Sequence, residues 1–193
     1  FRLVKALLEN LSTQYGGFSS SHIQAVVDLV INRPSGKIII LPQRLRAQKE
    51  YDRVIVDCTI QKRVVDYEYP LMVPGEVVLK ERGIILNAKK GEPGEVDFKC
   101  VDRIFFDEDK TKGPLVIRNR RKGDWFEPLG TKGSQKIKKL FIDRKVPKGE
   151  RESIALIADE ISIIWIENMH INERVKVTHE TKNVLILEIQ PLG

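Results

Sequence analysis

The sequence predicts an α+β protein, in which a small N-terminal unit of two helices and a hairpin precedes a mostly antiparallel β domain with one basic helix. Three observations predict this class. Apolar residues recur at helical spacing near the N terminus, short β-rich runs separated by glycine and proline follow, and one later helical stripe interrupts them. With 193 residues, 41% of them hydrophobic, the chain is long enough for one large domain or two small ones.

The first unit is predicted to span residues 1–66. Leucines at helical spacing predict a helix over residues 1–12, and a second helix begins after Ser20 or Ser21, either of which can cap it. The buried face of this second helix is predicted to consist of Ile23, Val26, Val27, Val30 and Ile31. Residues 37–41 and 45–57 are rich in β-branched or alternating residues, which indicates a hairpin packed on the two helices.

A β-rich connecting segment is predicted over residues 67–112, followed by a C-terminal domain over residues 113–193. Turn dipeptides separate strands that we predict at 77–79, 84–86, 96–101, 104–106, 115–118, 154–158, 161–166, 175–178 and 184–189. A helix is predicted from Ser134, with Ile137, Leu140 and Phe141 on its apolar face and Pro147 as its end.

Several classes of protein are disfavoured by the composition. No run of about 18 apolar residues occurs, so we predict no membrane span. Only two cysteines are present, Cys58 and Cys100, and nothing resembles a signal peptide, which favours a reducing cytoplasm. Because the chain begins at Phe1 with leucines already in helical register, we interpret it as a fragment.

Groups that could be activated for catalysis are few. The three histidines, His22, His170 and His179, have no spacing typical of a metal site, and no Walker-type phosphate loop occurs. We expect His22 to be a capping or packing residue and the two cysteines to be small buried hydrophobes. The sequence therefore predicts no catalytic residue and no metal ligand in this chain.

Positive charge is concentrated in residues 112–151, which we call the basic block. It holds 13 basic and 4 acidic residues, whereas the whole chain has a net charge of only +6. Glycines that let backbone approach phosphates, a helix N-terminus and a nearby aromatic ring accompany the charge, which indicates an RNA surface. The predicted RNA-binding residues are Arg118, Arg120, Arg121, Lys122, Lys132, Lys136, Lys138, Lys139, Arg144, Lys145 and Lys148.

Other interpretations of the basic block stay open. It could be a solvated face that keeps the chain soluble, or a protein-interaction or interdomain regulatory module that meets an acidic surface without RNA contact. Trp125 is more often a core residue than a stacking platform, and Arg118 could simply alternate outward on a strand. A salt-dependent affinity for tRNA favours the RNA surface over the protein-interaction module.

Particular motifs in this chain resemble those of bacterial tRNA(Ile)-lysidine synthetase. Four stretches resemble the C-terminal domain of that family, namely IRNRRKGDWFEPLG at 117–130, KKLFID at 138–143, KVP at 145–147 and NERVKVT at 172–178. Four shorter stretches resemble the substrate-recognition domain of the family, namely SHI at 21–23, PSGK at 34–37, LP at 41–42 and EYDR at 50–53. The resemblance covers almost the whole chain and is weakest over residues 67–111.

The resemblance implies a parent enzyme that uses ATP and Mg²⁺ to ligate free lysine to the wobble cytidine of the isoleucine tRNA with a CAU anticodon. The adenylating loop of the family, Ser-Gly-Gly-x-Asp-Ser, has no counterpart here, since the tract at 15–20 lacks the aspartate. The resemblance thus implies an inactive, tRNA-recognising portion, and it is compatible with a homodimer. Residues 113–193 would hold the acceptor arm, and residues 1–66 would help to position the tRNA body and anticodon side.

Two kinds of contact are expected in such a portion. The isoleucine and methionine tRNAs share the CAU anticodon, so discrimination requires contacts far from the anticodon loop. We assign Lys136, Lys139, Lys145 and Lys148 to phosphate contacts, which position the RNA without reading sequence. We assign Arg120, Arg121 and Arg144 to base edges or groove shape, because a guanidinium bonds in a fixed fork.

Overall fold

The computed structural model describes residues 17–42, 44–58, 65–100, 102–131 and 133–193, together with Ala6 and Asn10. The chain forms two compact units, Phe1–Arg63 and Val64–Gly193. The predicted helix at residues 1–12 lies outside the described residues, apart from Ala6 and Asn10. The predicted α+β class is confirmed, because the strands pair antiparallel and helices pack on them.

In the first unit, helix α1 (Ser20–Asn32) packs on a three-stranded antiparallel sheet of β1 (Ile38–Leu41), β2 (Leu45–Glu50) and β3 (Arg53–Cys58). The predicted hairpin thus has one more strand, because a turn at Tyr51, with φ 54°, divides its second half. The buried face of α1 differs from the prediction in that Leu29 is buried, while Val30 and Ile31 are exposed.

Helix α1 begins one or two residues earlier than predicted. Its N-cap is Ser19 rather than Ser20 or Ser21, and the backbone N–H of Ser19 donates to Nδ1 of His22 at 3.1 Å. This reciprocal contact satisfies a donor that would otherwise lack a partner at the helix start. The prediction that His22 is a capping residue is therefore confirmed.

In the second unit, two four-stranded antiparallel sheets share one core. The first sheet contains β4 (Glu68–Leu71), β8 (Leu115–Arg118), β11 (Leu156–Ala158) and β12 (Ile163–Ile166), in the order β12-β11-β8-β4. The second contains β5 (Gly75–Leu79), β6 (Ile84–Gly91), β7 (Arg103–Asp107) and β13 (Val184–Pro191), in the order β5-β6-β13-β7. Buried residues of both sheets meet in one cluster that includes Leu71, Phe106, Ile117, Ile157 and Leu185.

The predicted connecting segment, residues 67–112, contributes strands to both sheets. Strand β4 pairs with β8, and β6 and β7 both pair with β13. These pairings join residues that lie far apart in sequence, and the segment shares one compact unit with residues 113–193.

A second core covers the other face of the β8-β11-β12 sheet. A two-stranded ribbon of β9 (Trp125–Phe126) and β10 (Gln135–Lys136) leads directly into helix α2 (Ile137–Asp143). The apolar side of α2 packs with Leu156 and Ile166. Because both faces of this sheet are covered, β11 and β12 are buried along their whole length.

Three predicted elements differ in the structure. No strand forms over residues 96–100, which follow a 3₁₀ helix (Pro93–Glu95) and contain a turn. No strand forms over residues 175–178 either, where Val175 ends another 3₁₀ helix (Glu173–Val175). Helix α2 begins at Ile137 rather than Ser134, because Gln135 and Lys136 pair with β9. A further 3₁₀ helix covers Glu108–Lys110. No helix in the described part of the chain is long and apolar enough to cross a membrane.

Candidate nucleic-acid interface

Helix α2 buries its apolar side and exposes its cations. Ile137, Leu140 and Phe141 lie in the second core, which is the face that the sequence predicts. The exposed cations of α2 and its two flanks, which we call the α2 basic surface, are Lys136, Lys138, Lys139, Arg144, Lys145 and Lys148. Six of the eleven predicted RNA-binding residues thus lie exposed within a stretch of 13 residues.

Two cations of this surface, Lys139 and Arg144, are held by side-chain contacts. Lys139 Nζ lies 2.7 Å from a carboxylate oxygen of Asp143, one turn further along the helix. Arg144 contacts Nε2 of His170, and burial together with the Arg144 cation lowers the pKa of the His170 ring. A lowered pKa favours the neutral imidazole, whose free nitrogen accepts the hydrogen bond that Arg144 donates.

Arg118 is buried, whereas the predicted RNA contact requires an exposed side chain. Its side chain is 10% exposed and forms a two-pronged ion pair with Asp124, at 2.9 and 3.0 Å. The same guanidinium donates to the carbonyl of Asn119 at 3.0 Å. The last residue of β8 is therefore a clamp that fixes the loop before β9 and has no free fork for RNA.

Arg120 and Arg121 also have acidic partners. Arg120 pairs with Glu152 and its side chain is only 16% exposed, so the predicted base-reading role does not suit its position. Arg121 pairs with Glu68 but keeps 58% of its side chain exposed, and Lys122 is exposed. The sequence did not reveal these partners, because Glu68 reaches the site only through the pairing of β4 with β8.

Next to these arginines lies an open cleft of about 430 Å³. Its walls are Asp66, Tyr67, Glu68, Asn119, Arg120, Arg121 and Lys122. The buried side chain of Asn119 joins the walls by donating to Asp66 at 3.0 Å and to the carbonyl of Glu152 at 3.1 Å. Burial raises the pKa of the Tyr67 phenol, so this group stays neutral. Acidic and basic walls face each other, which makes this cleft less attractive to a polyanion than the α2 basic surface.

The glycine approach to α2 differs from the expectation. Gly130, with φ 78°, uses its backbone N–H to donate to Glu173 at 2.8 Å, a bond that lowers the pKa of Glu173. The first backbone N–H of α2, that of Ile137, donates to the carbonyl of Asp124 at 3.0 Å. Neither donor is free for a phosphate, so the charge of this region comes from side chains. Lys132 lies outside the described residues.

Trp125 lies at the surface rather than in the core, where its residue type alone would place it. Half of the residue is exposed, and Nζ of its cross-strand partner Lys136 lies 5.5 Å from the indole centroid. The next residue, Phe126, points inward and is 1% exposed. Because successive strand residues face opposite ways, only one of the two aromatic rings can enter the core.

Other candidate chemical groups form no site in the described residues. No group of three or more His, Cys, Asp and Glu residues there is arranged to hold a metal ion. Cys100 is a free thiol of intermediate exposure, so its predicted full burial is wrong, and the side chain of Cys58 lies outside the described residues.

Comparison with known proteins gives a consistent result. Residues 115–188 match the family described as the TilS substrate C-terminal domain. The tRNA(Ile)-lysidine synthase of Caldanaerobacter subterraneus subsp. tengcongensis is 32% identical over 194 residues, covering 97% of this chain and 40% of that protein. That of Clostridium tetani is 29% identical over 195 residues, covering 98% of this chain and 41% of that protein.

A solved structure agrees with the sequence matches. The crystal structure of a TilS C-terminal domain superposes with a TM-score of 0.58 at 25% identity, covering 67% of this chain and 99% of that one. This chain spans about 40% of the length of the curated relatives it matches. The resemblance to the C-terminal region of tRNA(Ile)-lysidine synthetase is thereby confirmed, and residues 115–188 belong to the TilS substrate C-terminal domain family.

Proposed function

We propose that this chain binds tRNA on behalf of a lysidine-forming enzyme, and that the α2 basic surface makes the main contact. The observation that carries the proposal is the set of exposed cations on α2 and its flanks, held outward because the opposite side of the helix fills a core. The name of the relatives, tRNA(Ile)-lysidine synthase, supports tRNA as the polyanion.

The electrostatics of the surface suit a phosphate backbone. In the described part of the chain, Lys138, Lys145 and Lys148 are exposed and have no acidic partner, so their charge is not neutralised locally. Each lysine that contacts a phosphate releases a condensed counterion. Because this release is less favourable at higher salt, the affinity falls as salt is added. Binding of an acidic protein to this surface would also weaken as salt is added. A surface built for a protein partner, however, would not bind RNA more tightly than a protein of equal charge.

The experiment measures tRNA binding by the 193-residue chain at several salt concentrations. A triple variant, Lys138→Ala with Lys139→Ala and Lys148→Ala, is compared with a control that removes three exposed lysines elsewhere in the second unit. The control residues are Lys80, Lys99 and Lys182. We expect the first variant to reduce the slope of log affinity against log salt by about 0.7 to 0.9 for each lost phosphate contact, the range between single strands and duplex DNA. Equal slopes in the two variants would contradict the proposal.

A finer part of the proposal concerns discrimination among tRNAs. Of the three arginines assigned to base edges, Arg121 and Arg144 are exposed and Arg120 is covered. We therefore assign the preference for the isoleucine tRNA over the methionine tRNAs to Arg121 and Arg144. Changing either to alanine is expected to reduce this preference, whereas Arg120→Ala leaves it unchanged; competition binding with both tRNAs measures the ratio. An unchanged ratio in both Arg121→Ala and Arg144→Ala would overturn this assignment.

The ligation of lysine with ATP and Mg²⁺ is proposed for the complete relatives, and we assign no residue of this chain to it. This chain contributes binding energy for the tRNA and helps to position it. Such remote binding is useful to an enzyme because it holds the reacting nucleotide in place without touching it.

A further inference from the structure

The exposed face of the β9-β10 ribbon combines an indole with an ammonium group. Trp125 and Lys136 are direct partners across the ribbon, the ammonium group lies 5.5 Å from the ring centroid, and half of Trp125 remains exposed. The exposed half of Trp125 is a flat apolar surface that carries an aromatic π face, and a ligand that covers it would remove this surface from water.

The backbone that carries the Trp125 ring is held in place on both sides. Phe126 holds the strand in the second core, and the carbonyl of Asp124 accepts the first N–H of α2 at 3.0 Å. The carboxylate of Asp124 is in turn fixed by Arg118, at 2.9 and 3.0 Å. The residues on both sides of Trp125 are therefore held by buried contacts, so little conformational entropy is lost when a ligand binds the ring.

The chemistry beside the ring selects a class of ligand. An indole offers a flat π surface, and the neighbouring ammonium group, which lies over the ring at 5.5 Å from its centroid, offers a positive charge. Aromatic platforms flanked by cations are the usual way in which proteins hold single-stranded nucleic acid. The α2 basic surface continues directly from Lys136 into the helix.

We propose that Trp125 and Lys136 form a stacking site for one unpaired nucleotide, whose base lies on the indole and whose phosphate lies against the ammonium group. The inference rests on the proposed function and narrows it, because a paired base inside a helix presents no free face to stack. The RNA that this chain binds must therefore offer an unpaired base beside the segment that meets α2.

Fluorescence tests this inference directly, because the chain has two tryptophans and Trp165 is buried. The variant Trp165→Phe leaves Trp125 as the only indole. We expect its emission to be quenched when an unstructured single-stranded oligoribonucleotide binds. A long RNA duplex, in which unpaired ends are rare, is expected to bind without comparable quenching. Filter binding in parallel measures affinity for both probes.

Substitutions in the unaltered background make the test independent of the Trp165→Phe variant. Trp125→Ala and Trp125→Leu are expected to weaken single-strand binding on the order of 5- to 100-fold, and Trp125→Phe much less, because only phenylalanine keeps a π face. Binding of the long duplex should change little in all three variants.

The outcomes separate this inference from the function on which it rests. Unchanged single-strand affinity in Trp125→Ala, or equal losses for Leu and Phe, would overturn the stacking site while RNA binding stands. Absence of binding to tRNA and to both probes at low salt would overturn the proposed function and the stacking site together.

Discussion

The segment Arg118–Arg121 and helix α2 belong to one basic block but use their charges in opposite ways. The arginines of the segment all meet carboxylates, those of Asp124, Glu152 and Glu68, and two of the three are largely covered. Most lysines of α2 and its flanks project into solvent without an acidic partner in the described chain. Charge counting along the sequence treats these two regions as equal.

The difference follows from side-chain chemistry and from topology. A guanidinium is planar, weakly hydrated and able to bond a carboxylate at two points, so it tolerates burial in a clamp. A lysine ammonium is strongly hydrated and stays at the surface unless its charge is removed. The segment follows a central strand whose neighbours supply acids, whereas α2 lies at the periphery of the unit. A basic block is therefore only partly a binding surface.

The largest expected effect comes from breaking the clamp. Arg118→Ala removes the ion-pair partner of the Asp124 carboxylate, which is 12% exposed and keeps the backbone N–H of Arg121 at 2.7 Å, so we expect the free energy of unfolding to fall by about 3 kcal/mol. Urea denaturation measures this loss. The matched control is Arg121→Ala, which removes an exposed ion pair and should cost no more than about 1 kcal/mol. Similar losses in the two variants would show that the comparison between covered and exposed arginines is wrong.

A second buried pair in the same unit tests whether covered carboxylates stabilise the fold generally. Burial acts to raise the pKa of Asp159, but hydrogen bonds from Ser162 and Arg174 outweigh it and hold the pKa below the usual 3.8. Because the folded pKa is depressed, this stability is complete well above pH 3.8 and is lost as the pH falls through the folded value.

The variant Asp159→Asn should therefore lose about 2–3 kcal/mol at pH 7. Its difference from the wild type should shrink as the pH falls below about 4, where the carboxylate first becomes protonated in the unfolded wild type and, at lower pH, in the folded protein. Urea denaturation at pH 7, 5, 4 and 3 measures both curves. A constant difference across this range would contradict the assignment of the effect to the ionised carboxylate.

Some of these features could be predicted from sequence, and the failures have physical causes. Strand β8 has the predicted bounds, and the apolar face of α2 is the predicted one, because both depend on local periodicity. The strand predicted at 96–101 does not form over residues 96–100 because Asp97 accepts the backbone N–H of Lys99 at 2.9 Å, a local turn that competes with pairing.

The site was predictable only where local pattern decides exposure. Helical spacing is enough to place Lys138 and Lys139 outward. The burial of Arg118 could not be predicted, because Asp124 closes on it only once β9 packs against the sheet. Trp125 shows the same limit, since its neighbour Phe126 occupies the core position and nothing in the residue types decides between the two rings.

A smaller effect is expected at the C-terminal end of α2, where Lys145 adopts φ 54°. The N–H of Val146 donates to Phe141 at 2.8 Å and that of Lys145 to Ile142 at 2.9 Å, a Schellman motif in which glycine is the usual residue. Lys145→Gly should relieve the left-handed strain and raise the free energy of unfolding by about 0.5–1 kcal/mol. Because it also removes one exposed cation, tRNA binding should weaken at the same time.

Measuring the free energy of unfolding and the tRNA affinity of Lys145→Gly sharpens the comparison between α2 and the segment Arg118–Arg121. In the arginine segment, stability and charge are lost together, whereas at Lys145 they should change in opposite directions. Lys145→Asn is the matched control, because asparagine also tolerates the left-handed conformation and also removes the charge. Unchanged tRNA affinity in both variants would remove Lys145 from the α2 basic surface.

The smallest expected effect concerns Asp143, the one acidic residue of α2. Its pair with Lys139 is exposed and places the lysine before the acid, the weaker order on a helix, and the carboxylate lies at the helix end where negative charge is unfavourable. Asp143→Asn should therefore change stability by no more than a few tenths of a kcal/mol. It should also free Lys139 and strengthen tRNA binding about two- to threefold at low salt. Asp109→Asn, at an exposed position of the 3₁₀ helix Glu108–Lys110 in the same unit, controls for net charge; an equal gain there would show that total charge, and not the charge of α2, governs binding.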